Sequence, residues 1–182
     1  MTAILMALAL HGNPSIRPWP VGPGPRYTPR AAPASVLAGR PAGRLACGAS
    51  ASSFRVHIEL FASRRVIVLP AGIGVASPLR RDGATVDPGG CVYPLRTLAP
   101  DGVVEVATGR TLTLADVFRV WGEPFAARRL LSFRGAVRAY VGGRLVRGPV
   151  GGIRLVPHEQ IVLELGAYLA PHPFFLFPGG DS

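Results

Sequence analysis

The chain has 182 residues, 48% of them hydrophobic, enough to bury the core of one ordinary domain and too many for a wholly disordered protein. Its formal net charge of +10 comes from arginine alone, with no lysine anywhere, beside 23 Gly and 19 Pro. That composition matches the amino-acid bias of a GC-rich genome, so the charge by itself does not single out nucleic acid or an anionic membrane as partner.

The chain opens on "MTAILMALALHG", a short apolar run without a basic flank and too short to span a bilayer. It reads as a frayed N-terminus or a misplaced start codon ahead of a weak signal peptide. No other segment reaches membrane-spanning length without charge. From Gly12 to about Ser53 the sequence is rich in Pro, Gly, Ala and Ser and lacks apolar periodicity. Residues 1–50 are therefore expected to form a disordered arginine-rich tail, and residues 51–178 a single β-rich domain. Beyond the tail the arginines are scattered, with no run longer than a pair such as Arg64-Arg65 and no aromatic-basic motif, which argues against nucleic-acid binding.

"FRVHIEL" alternates Phe54, Val56, Ile58 and Leu60 against Arg55, His57 and Glu59, the period of a half-buried strand, and "RRVIVLP" continues as its hairpin partner. Residues 76–90 are turn-rich and read as a loop. "CVYPLRTL" is a third extended piece, at an edge or bulged because Pro94 has no N–H to donate, and "GVVEVA" a fourth. "TLADVFRVWG" is the one convincing helix. Thr113 stands three residues before Asp116 as in a capping box, Gly122 occupies the C′ position, and Leu114, Val117, Phe118 and Trp121 share one face. "AVRAYVGGRLVRG" reads as a hairpin turning at Gly142-Gly143, and "IRLVPHEQIVLELG" supplies a further strand or two. The expected fold is mainly β, a sandwich or open barrel of about seven strands with one short helix.

No phosphate loop, dinucleotide fingerprint, nucleophile-elbow serine or paired-histidine zinc motif is present, and no nucleophile has a visible base partner. The segments "RVHIELF", "LPAGIGV", "CVYPLRTLAPDGVVEVA" and "LTLADVFRVWG" fall in an order and spacing that resembles an uncharacterised actinobacterial and archaeal family of extracytoplasmic proteins. Its members carry a His-x-His-x-His strand, a "PAGIGI" segment, a "CLYWLHTHD" run and "FTLGDFFDIWG". The resemblance runs from about Cys47 to Pro178 and brings no enzymatic activity with it. It implies a copper or zinc site, because alternate positions on a strand aim several imidazoles at one point.

In this sequence the corresponding strand reads Arg55, His57, Glu59, and Arg96 and Leu98 stand where the run expects histidines. Arginine cannot act as a ligand, since it keeps its proton and its charge repels a cation. The resemblance therefore implies a degenerate metal site, with a residual one built from His57, Glu59 and Glu105 as the alternative. Arg55 and Arg96 would face Glu59 and Glu105 across the same patch, or together take an anionic ligand. His158 and His172 lie in turns and read as structural. Cys47 and Cys91 match family cysteines, which implies a disulfide; two free thiols are the alternative. The functional expectation is a non-enzymatic extracytoplasmic binding or structural module without a cofactor. The alternatives are a residual copper or zinc binder, and an anionic-surface or nucleic-acid binder acting through the arginine-rich tail.

Overall fold

The computed structural model describes residues 24–49, 52–87 and 89–177. In chain order they form β1 (Arg26–Tyr27), the single helical turn α1 (Ala34–Leu37), β2 (Ser53–Ala62), β3 (Arg65–Ile67), β4 (Arg80–Asp82), β5 (Thr85–Asp87), β6 (Leu95–Arg96) and β7 (Val103–Ala107). Then follow α2 (Leu114–Trp121), β8 (Phe125–Ala126), β9 (Arg129–Leu130), β10 (Phe133–Arg134), β11 (Val137–Val141), β12 (Arg144–Leu145), a 3-10 turn at Val150–Gly152, and β13 (Gln160–Leu165). The described residues are mainly β with one real helix. Their strands number thirteen rather than about seven, because several are pieces of two or three residues.

β2 is the spine. One of its edges pairs antiparallel with β7, from Ser53↔Ala107 to His57↔Val103, and further along with β3, from Leu60↔Ile67 to Ala62↔Arg65. Its other edge runs parallel to β13, from His57↔Gln160 to Ala62↔Leu165. β13 pairs antiparallel with β11, β11 with β12, β6 extends from β7, and β1 lies parallel to β3, which completes an eight-stranded sheet. Separate ribbons are formed by β8–β10 and by β4–β5.

Alternation on β2 assigns its two faces. Val56, Ile58, Leu60 and Ala62 enter the main core together with Val104, Val106, Ile161, Leu163 and the Leu114, Val117, Phe118 and Trp121 face of α2. Phe61 enters a smaller cluster with Val66, Tyr140 and Val162 on the opposite side. The centre of the sheet is thus buried on both faces, and every residue of β13 is buried. α2 begins and ends as its sequence requires. The Thr113–Asp116 capping box is formed, and Gly122 takes φ 78° and donates its N–H to the Phe118 carbonyl.

Three expectations need correction. The tail assigned to residues 1–50 packs on the domain from residue 24 onward. β1 joins the sheet, Val36 and Leu45 are buried, and the indole N–H of Trp121 donates to the Arg30 carbonyl at 2.7 Å. Composition conceals this because the segment is held by a few apolar side chains, backbone carbonyls and a disulfide instead of a periodic face. Residues 1–23, with their apolar run, lie outside the described residues. The loop at residues 76–90 contains the β4–β5 hairpin, which turns at Gly83. "CVYPLRTL" contracts to the two residues of β6, directly after Pro94. No helix among the described residues is long and apolar enough to cross a membrane.

Candidate functional site

Residues 55, 57, 59 and 61 of β2 point to the sheet face opposite α2, and cross-strand pairing brings partners to each. In one row Glu105 stands in register with Arg55 on β2 and with Arg96 on β6. Arg96 grips Glu105 through Nη2 at 2.6 Å and Nε at 2.8 Å to the same Oε2. The two arginines read as an anion patch therefore flank an internal carboxylate. Arg55 lies 5.7 Å from the centre of the Phe177 ring, and an open groove of about 360 Å³ is lined by Ser53, Phe54, Arg55, Glu105, Pro157 and His158.

The next row is built around His57, which is fully buried. Its Nδ1 is 2.6 Å from Gln160 Oε1 and its Nε2 2.9 Å from the Asp101 carbonyl. A carbonyl only accepts, so Nε2 carries the hydrogen. Nδ1 faces the Gln160 amide, whose Nε2 is buried without a partner among the described residues; turned over, the same amide would donate to Nδ1 and leave its Oε1 in that place instead. Phe175 stacks on the imidazole at 3.7 Å between ring centres and 9° between planes. Gly102, with φ 83°, approaches the Nε2 edge so closely that a Cβ there would lie 2.7 Å from His57 Nε2.

Below His57, Glu59 is buried and both its oxygens sit 2.9 Å from Nδ1 of His172, which arrives from the C-terminal segment. Glu59 was expected to face Arg55; its partner is His172 instead, a residue that the sequence reads only as part of a turn. In the last row Glu164 is fully buried, with Arg138 Nη2 at 3.2 Å and the Leu169 amide donating at 3.2 Å. Residues 166–177 thus lie over this face and supply partners to its carboxylates and imidazole. Glu159, between His158 and Gln160, has a carboxyl raised above its ordinary range by desolvation, partly offset by a backbone hydrogen bond from Val156. Its Oε2 is buried without a partner among the described residues.

Chemically, each proposed ligand is engaged. His57 uses both ring nitrogens, Glu59 holds His172 and Glu105 holds Arg96. Among the described residues no three of His, Cys, Asp and Glu group as a metal site. Gln160, His172, Phe175 and the Asp101 carbonyl were not legible as members of the site, because contacts across more than a hundred residues bring in the first three.

Cys47 and Cys91 form a disulfide with 5.4 Å between their Cα atoms, across 44 residues of sequence. It ties the segment before β2 to the turn before β6. Tyr93, two residues on, donates its hydroxyl to the Arg40 carbonyl and fixes the same segment. Comparison with protein-family models, with curated proteins and with solved structures finds no match for this chain.

Proposed function

We propose that the protein is a non-enzymatic binding or structural module of an oxidising, extracytoplasmic compartment, in which a sheet face of the metal-binding type has become internal architecture. The observation that carries this reading is the seat of His57. A metal ligand needs a free nitrogen lone pair, and here one nitrogen donates to a carbonyl while the other is held by Gln160. Phe175 covers one face of the ring, and Gly102 packs close to its Nε2 edge. The Cys47–Cys91 bond supports the compartment, since structural disulfides persist where thiols are not kept reduced.

A residual copper or zinc site is the second reading. It is favoured by the His172–Glu59 pair, a half-exposed imidazole beside a carboxylate and two residues along β2 from His57. Titration of the full chain with Cu²⁺ and Zn²⁺ separates the two. The first reading expects no heat of binding at micromolar metal. Micromolar binding abolished by His57→Ala would sink it and favour the second.

A further inference from the structure

From Gly166 to Phe177 the chain reads "GAYLAPHPFFLF", and its side chains divide between two directions. Inward, Phe175 stacks on His57 and His172 holds Glu59, while Pro173 lies against the turn between β11 and β12, 3.1 Å from where a Cβ at Gly143 would stand. Outward, Tyr168, Leu169, Phe174 and Leu176 are 65%, 42%, 68% and 48% exposed. These are four of the seven exposed large apolar residues among those described, so the exposure is concentrated in one segment. Leu145 extends the patch, being in register with Tyr140, which Tyr168 meets edge-on at 6.5 Å.

A shallow groove of about 120 Å³ runs from Ala167 and Leu169 to Phe61 and Leu165, with Arg64 and Arg65 at its rim. Both arginines are exposed, Arg64 in the tight turn between β2 and β3 and Arg65 at the start of β3. Residues 166–177 contain no acid, and the two carboxylates beneath them, Glu59 and Glu164, are buried and engaged. The exposed face therefore offers tyrosine, phenylalanine and leucine beside positive charge, with no negative charge from the segment itself.

We propose that this face docks the protein peripherally on an anionic lipid surface. Leucine and phenylalanine would enter the acyl boundary, Tyr168 would sit at headgroup depth, and Arg64 and Arg65 would meet lipid phosphates. Charge selects this occupant over a second copy of the chain. At +10 each, two copies repel, and an isologous contact on this face would bring the same arginine pair from each copy to one interface. The inward contacts hold the segment in place, so the apolar side chains are presented without an ordering cost at docking.

The test is co-flotation of the full chain with phosphatidylcholine vesicles, with and without phosphatidylglycerol. The wild type floats with the anionic vesicles only, and added salt weakens the effect. Both Y168S/L169S/F174S/L176S and R64S/R65S reduce the partition at least about tenfold. A Phe174→Trp variant gives a readout independent of the multiple substitutions, because brominated anionic lipid quenches its added fluorescence. The proposal is overturned if the wild type stays with the soluble fraction, if it binds neutral vesicles equally well, or if the F174W signal is unquenched. It is also overturned if the wild type sediments as a dimer that Y168S/L169S/F174S/L176S dissolves, which would make the occupant a second copy.

Discussion

Gly102→Ala probes the seat of His57 most directly. Gly102 has φ 83°, where an L-residue costs roughly 1–2 kcal/mol. The added Cβ would also stand 2.7 Å from His57 Nε2 and 2.8 Å from the Ile58 carbonyl oxygen. The turn cannot retreat freely, because the Gly102 carbonyl accepts from the Ile58 amide at 2.9 Å and the Asp101 carbonyl accepts from His57. Relief requires giving up the His57–Asp101 bond, a net loss of about 1 kcal/mol. The expected destabilisation is about 2–3 kcal/mol, and the melting temperature falls by about 4–12 °C for a chain of this size. Urea unfolding with the disulfide kept oxidised measures it. Gly83→Ala is the control, since Gly83 has φ 55° but nothing within 4 Å of its notional Cβ. It should cost only the backbone contribution, roughly 1–2 kcal/mol and about 1 kcal/mol less than Gly102→Ala. If the two substitutions cost the same, Gly102 is needed only for its turn and the close packing on His57 contributes nothing.

Replacing Cys47 and Cys91 together by serine removes a cross-link spanning 44 residues, with an expected loss of about 4 kcal/mol from loop-closure entropy. Chemical unfolding of the double variant checks this, and a free-thiol count on native protein should return none. Asp116→Ala strips α2 of its capping box and of contacts to Arg44 at 2.8 Å and Arg119 at 2.6 Å. Both arginine partners are largely solvent-exposed and add little, so the cap dominates and the loss should be about 2 kcal/mol in denaturant midpoint analysis. Glu159 has its folded carboxyl raised by desolvation, so the folded state binds the proton more tightly than the unfolded one. Its contribution to stability is present at acid pH and is lost as pH rises from about the ordinary value of 4.5 through the raised folded value. Glu159→Gln should therefore stabilise at pH 7 and change little at pH 4; equal effects at both would refute the assignment.

What the sequence makes legible is what short-range chemistry encodes. The capping box at Thr113 and the C′ glycine at Gly122 bracket α2, the alternation at residues 54–60 marks β2, and Gly142-Gly143 sets the β11–β12 turn. The parallel pairing of β2 with β13 has no local signature, because parallel neighbours share no turn. That pairing places Gln160 beside His57, so the site was only half visible: Arg96 and Glu105, nine residues apart, meet as the patch suggested, while the His172–Glu59 contact spans 113 residues. The segment at residues 166–177 likewise lacks a period, since it is held by individual side chains and not by a ladder.

The parallel pairing also has a consequence for the order in which the fold is made. His57 and Gln160 are 103 residues apart, so the neighbour on the second edge of the central strand is synthesised long after the strand itself. Contacts of that span make folding slow, since loop closure precedes the stabilisation it brings. Until β13 arrives, one edge of β2 stands open to pairing with other chains. The nascent protein therefore stays prone to aggregation until β13 has been made, and removal of residues 166–177 would strip Phe175 from His57.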